Sequence, residues 1–113
     1  MNTAKLAAGE VREFLFGRSL DCFHPDTKAK AATIEYLANG TCKAAMVDGA
    51  SDEGRYGFER DMYWTQYFWF RDGGLFRFYL ERVDDSTCQA YFEDGGKAFI
   101  QTIKTEEAIA RHI

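Results

Sequence analysis

Histidine occurs twice in this chain of 113 residues and cysteine three times, so the side chains that most often carry nucleophilic and metal chemistry are scarce. There is no GxSxG elbow, no CxxC pair and no glycine-rich loop leading from a strand into a helix. His24-Pro25-Asp26 reads as a turn with no further His or Cys at ligand spacing, and neither a metal nor a cofactor is expected. Asp48, Ser51, Asp52 and Glu53 gather in one stretch that lacks the alternating Asp and distal Glu of a calcium loop. The segment 48–54 is therefore read as a solvated acidic loop. Abundance lies instead in aromatic side chains, at 16% of residues. Tyr67, Trp69, Arg77, Tyr79 and Tyr91 have the make-up of a small-molecule surface: rings supply contact area, hydroxyls orient, and Arg77 anchors a carboxylate or another anion. Glu81, beside Tyr79, is the one general-base candidate, so Glu81 and Tyr79 are the pair to consider if the chain does chemistry.

Those residues must be held by strands. Only residues 3–16 carry helical spacing, with Leu6, Ala7, Val11, Phe14 and Leu15 on one stripe, Thr3 as N-cap and Gly17 as the stop. From Ser19 the apolar period becomes two. Strands are expected at 19–23, 30–38, 41–47, 55–60, 62–71, 75–83, 87–93 and 97–104, the fourth and fifth being continuous through a bend at Asp61 if only seven form. Asn39-Gly40 is a strong hairpin signal, because a type I′ turn needs positive φ at both residues. A tail with early Glu106 and Glu107 and late Arg111 and His112 has the charge order of a short helix. No βαβ alternation occurs. The reading is one domain over residues 1–113: a helix, an antiparallel up-and-down meander of seven or eight strands over 19–104, and a short tail.

Three-residue loops at 72–74, 84–86 and 94–96 would set the cross-strand pairs. One face then carries Phe68, Phe70, Phe76, Phe78, Leu80, Phe92 and Ile100, with Trp64 and Cys88 at one end. The other carries rows Tyr67–Tyr79–Tyr91–Phe99, Trp69–Arg77–Glu93–Lys97 and Thr65–Glu81–Gln89–Gln101. The phenylalanine face belongs against the core. The tyrosine face is either the ligand surface above or a solvated sheet, with Arg77–Glu93–Lys97 as an ion ladder and Arg77 over Trp69 as a cation–π contact. If the tyrosine face pointed inward instead, a helix of about fourteen residues, roughly 20 Å long, would leave apolar surface uncovered and dimerisation would follow.

Composition narrows the class further. Fourteen Lys+Arg against eighteen Asp+Glu leave a formal charge of −4, which argues against nucleic acid and acidic membranes as partners. No apolar run is long enough to span a bilayer, and Glu10, Arg12 and Glu13 interrupt the amino-terminal stretch where a secretory signal would be apolar. A cytoplasmic protein with three reduced thiols is expected, a disulfide in an exported mature form being the alternative.

Gly17-Arg18-Ser19-Leu20 entering a strand, Glu35-Tyr36 running to Asn39-Gly40, and Gly54-Arg55-Tyr56 together resemble small lipocalin-like (calycin) domains of bacterial proteins. Tyr56 stands where those carry Trp, and Ser19 where the lipocalin G-x-W would have its Trp. The resemblance implies an eight-stranded barrel with a plugging helix. Three functions are weighed on it. The first is a non-enzymatic binder of a small aromatic or anionic ligand. The second is an interaction or structural domain with a filled barrel. The third is a barrel enzyme using Tyr, Arg and Glu for proton chemistry, as in phenolic acid decarboxylases, which this chain resembles only in general fold.

Overall fold

The computed structural model describes residues 5–104; Thr3 and the expected tail helix lie outside them. Helix α1 (Ala8–Leu15) precedes eight strands: β1 (Arg18–Phe23), β2 (Lys30–Tyr36), β3 (Thr41–Met46), β4 (Ser51–Glu59), β5 (Met62–Tyr67), β6 (Leu75–Asp84), β7 (Thr87–Phe92) and β8 (Lys97–Ile103). Each pairs antiparallel with the next, and β8 returns to β1 with Cys22 opposite Gln101, closing an up-and-down barrel. Closure removes every sheet edge, and eight strands enclose an interior that side chains can just fill.

Local chemistry explains the short turns. At residues 37–41, 46–50 and 92–96 the first backbone N–H bonds the carbonyl of the last residue. In each, the side chain of Asn39, Asp48 or Asp94 accepts the N–H two residues on, and the glycine that follows it has φ between 91° and 100°. An Asx side chain thus shapes the turn while glycine takes the left-handed position. This corrects the type I′ expectation at Asn39-Gly40: only Gly40 has positive φ, the loop holds three residues, and Ile34 pairs with Ala44, where a two-residue turn would have set it against Ala45. It also corrects the acidic loop, since β4 begins at Ser51. β4 and β5 are separate strands joined tightly at Arg60-Asp61, with Glu59 opposite Met62. Gly54 is required where β4 crosses β5, because a Cβ there would collide with the Gln66 carbonyl, and Gly57 makes room for the Trp64 indole outside the barrel.

Helix α1 starts later than expected. Residues 5 and 6 are extended, Leu6 N–H bonding the Leu80 carbonyl and Lys5 bridging to Glu81 along the free part of β6. Glu10 then accepts the Ala7 N–H at 2.8 Å. Val11, Phe14 and Leu15 are buried against β1, β4 and β5, so the helix plugs the end of the barrel where β1 begins. The other end, where β1, β3, β5 and β7 finish, is the mouth.

Two further registers differ from expectation, and with them the two faces of the later strands. β6 and β7 pair as expected, Phe78 with Phe92, Tyr79 with Tyr91 and Leu80 with Ala90. Between β5 and β6, however, the chain makes an excursion from Phe68 to Gly74 instead of a three-residue loop. Thr65 then opposes Phe76 and Tyr63 opposes Phe78. That odd shift turns β5 over: Tyr63, Thr65 and Tyr67 point inward, and Trp64 and Gln66 outward. A bulge between Gln89 and Tyr91 moves β8 by one, so Gln101 opposes Cys88 and lies inside, 1% exposed. Because side chains alternate with period two, each single-residue slip exchanges the faces of a strand.

Candidate functional site

The expected tyrosine surface does not assemble as one row. Tyr79 and Tyr91 stack outside the barrel, ring centroids 5.5 Å apart, and the Tyr91 hydroxyl donates to Glu81 at 2.9 Å. That bond raises the Tyr91 pKa, with burial adding to it. Lys5 covers the Tyr79 ring at 4.7 Å. Arg77 lies on the same outer face, but its Nε is 2.8 Å from Glu59 and its Nη1 4.0 Å from Glu93. Tyr67 is inside the barrel beside Cys42, and Trp69 sits on the β5–β6 loop, 62% exposed and stacked on Phe70 rather than under Arg77. Tyr79, Tyr91, Glu81 and Arg77 therefore share a surface; Tyr67 and Trp69 leave it.

The interior is more organised than the sequence indicated. At its middle level Gln101 Nε2 donates to the Tyr63 hydroxyl at 2.7 Å. The Tyr36 hydroxyl donates to Gln101 Oε1 at 3.2 Å, and the Cys22 thiol approaches the same oxygen at 3.7 Å. Tyr36 also meets the edges of Tyr56 and Tyr63, and Tyr63 stacks on Phe78. Burial pushes the Cys22 thiol up to about 12, and the Cys42 and Cys88 thiols up to about 11. It raises Tyr36, Tyr63 and Tyr67 as well. Every buried side-chain polar atom among the described residues has a partner, as a buried network requires.

Above this network the barrel is not filled. A cavity of about 240 Å³ lies at the mouth, walled by Cys22, Ala32, Ile34, Ala44 and Met46 from β1 to β3 and by Phe99 from β8. Its remaining wall is Phe70 and Arg71, supplied by the β5–β6 loop. Two alanines on neighbouring strands create the space. The one charged side chain lining it is Arg71, whose guanidinium lies 5.1 to 5.8 Å from the ring centroids of Phe76, Phe78, Phe92 and Phe99. Its positive charge reaches inward far enough to act on Cys22 and Tyr63.

The loop that delivers Arg71 is unusual. Arg71 and Asp72 have φ of 58° and 55°, and Gly73 follows at 71°. Left-handed backbone costs a residue with a Cβ roughly 1–2 kcal/mol, and such outliers gather where a side chain is held for a purpose. Asp52 is what holds it. This side chain, 8% exposed, accepts the N–H of Trp69 at 2.8 Å and of Phe70 at 2.9 Å through one oxygen, and the N–H of Glu53 through the other. Gln66 adds a bond to the Gly73 carbonyl. Desolvation would raise the Asp52 pKa, but the N–H groups of Phe70, Trp69 and Glu53 outweigh it and hold the carboxyl below its ordinary value. Neither Arg71 nor Asp52 stands out in the sequence: one closes the expected strand 62–71, the other looks like part of an acidic loop. No spacing signal distinguishes them, because their roles arise from contacts between β4 and a loop closed by β5.

A larger groove, about 910 Å³, lies outside the barrel against β2 to β4, with Phe68 and Trp69 at one wall. It is open to solvent, and two of its charges, Lys43 and Glu53, already face each other at 3.9 Å. Among the described residues no three His, Cys, Asp or Glu side chains converge as metal ligands would, and no helix is long and apolar enough to cross a membrane. Compared with protein-family models, with curated proteins and with solved structures, the chain matches none.

Proposed function

We propose that this protein is a non-enzymatic, calycin-like barrel that binds a small, largely apolar molecule at its open end. The observation that carries the reading is the mouth cavity: a space of about 240 Å³ with apolar walls in a barrel otherwise packed by its own side chains. Interiors close-pack, so a pocket that opens at the mouth and reaches down to Ala32 and Ala44 is a feature to explain. At about 30 Å³ per water it equals roughly eight water volumes, which suits a fragment-sized ligand rather than a lipid. The site thereby moves from the outer tyrosine surface to the lumen. Binding is favoured over catalysis because the interior thiols and phenols are pushed upward, away from the neutral range in which a general base or nucleophile works.

The test is a titration with neutral probes, toluene and benzyl alcohol, followed by amide NMR. Saturable shifts at Ala32, Ile34 and Ala44 are expected, and Ala44→Leu, which fills the space, should abolish them. Unchanged spectra up to the solubility limit would refute the reading. The interaction-domain alternative has one observation in its favour, the 86% exposure of Phe68 beside the exposed Trp69. It predicts a partner complex that Phe68→Ser with Trp69→Ser disrupts while leaving the lumen shifts intact.

A further inference from the structure

We propose that the ligand of the mouth cavity is a monocarboxylate of about eight to twelve non-hydrogen atoms, its carboxylate on the Arg71 guanidinium and its body against Ile34, Ala44 and Phe99. This rests on the small-ligand reading and goes beyond it in naming the ligand's charge and polar group.

Four observations converge on it. Arg71 is the single charged side chain in the cavity wall, and none of the ion pairs among the described residues involves it, whereas Arg77 outside has two carboxylates. Its companions among the described residues are four phenylalanine rings, which hold a guanidinium through their faces and leave its in-plane N–H donors available to a ligand. The backbone beneath it is left-handed at two successive residues with side chains, Arg71 and Asp72, a conformation glycine would take without strain. Asp52 fixes that loop through the Trp69 and Phe70 N–H groups, so the guanidinium is presented by a clamped support rather than a free turn.

Charge balance then selects the ligand. One cation among apolar walls neutralises one negative charge; a dianion would leave the second charge desolvated and unpaired, which is costly. The planar, forked donor set of arginine matches the two oxygens of a carboxylate. Beneath the cavity the polar groups of Gln101, Tyr36 and Tyr63 are already engaged with one another, and the cavity wall itself is apolar apart from Arg71, so the far end of the ligand is best apolar.

The experiment compares acids with their amides on the unmodified protein: benzoate with benzamide, and hexanoate with hexanamide, by amide NMR and calorimetry. A charge-assisted pair should favour each acid by about ten- to a hundredfold. The lumen amides and the Arg71 side-chain N–H should shift, and in Arg71→Met, checked for folding by circular dichroism, the acid's advantage should fall below about threefold. Equal binding of acid and amide would overturn the inference and leave the small-ligand reading standing. Shifts confined to Arg77, Tyr79 and Tyr91 would also overturn it, and failure of acids, amides and neutral probes alike would remove both.

Discussion

Replacing Gln101 with Met should destabilise the barrel far more than a glutamine in a strand ordinarily does. The two side chains have similar volume, so the change removes hydrogen bonds with little cavity or overpacking. Gln101 is 1% exposed and supplies both the acceptor for the Tyr36 hydroxyl and the donor for the Tyr63 hydroxyl. Stranding a buried polar group costs about 1–3 kcal/mol; two of them, partly able to turn toward each other, give about 2–4 kcal/mol. Against a total of about 5–15 kcal/mol for a domain of this kind that is a large share, and it corresponds to a fall of roughly 10–20 °C in Tm. The assay is urea unfolding followed by far-UV circular dichroism, with calorimetry for Tm. Adding Tyr36→Phe and Tyr63→Phe to Gln101→Met should recover at least half of the loss, since apolar replacement of a whole network is far cheaper than breaking it. Were β8 in the register that three-residue loops imply, Gln101 would face solvent and the substitution would stay within about 0.5 kcal/mol. A change that small, or a triple variant no better than the single one, would refute the buried network.

Three further outcomes are expected. Arg71→Gly relieves left-handed strain of about 1–2 kcal/mol but gives up ring contacts and adds unfolded-chain entropy of similar size; stability measured in urea should stay within about 1 kcal/mol of the parent while the acid-over-amide preference disappears. Because Asp52 has a folded pKa below its ordinary 3.8, its contribution to stability is complete above that value and fades as pH falls through the lower folded value. The protection factors of the Trp69 and Phe70 amides, measured against intrinsic exchange at each pH, should therefore fall in acid in the parent and be low already at neutral pH in Asp52→Ala; unchanged protection in the variant would contradict the clamp. Finally, with burial holding Cys22 near 12 and Cys42 and Cys88 near 11, no thiol should react with a disulfide reagent at pH 8 until the protein is unfolded in denaturant.

Much of the architecture was legible because it is local. The switch from helical spacing to period two marks α1 and the strands, and Asn39-Gly40 and Asp94-Gly95 announce two of the hairpins, while Asp48-Gly49 reads as part of an acidic loop. The β6–β7 register could be read directly from Phe78–Phe92 to Arg82–Cys88, since 78–92 is a short hairpin in which turn and strands are neighbours in sequence. The buried Val11, Phe14 and Leu15 follow from the helical stripe in the same way. The start of α1 was misread because Leu6 fits a helical stripe as well as it fits the extended segment that pairs with Leu80.

The candidate site was not legible, and the reason is parity. In a strand the face a residue occupies depends on every earlier turn and bulge, and one residue more or less inverts it. Alternation alone therefore predicts that Tyr67 and Trp69 share one face of a continuous strand, but β5 ends at Tyr67 and the excursion to Gly74 sends Tyr67 inward and Trp69 out. The same arithmetic at the β7 bulge carries Gln101 from the surface to the barrel's centre. Sequence by itself determined the element types, the places of several turns though not their register, and the antiparallel order, because these depend on residues close in the chain. The tertiary structure decided which tyrosines are interior, which arginine lines the mouth cavity and what Asp52 holds, because those follow from closing a barrel around side chains far apart in sequence.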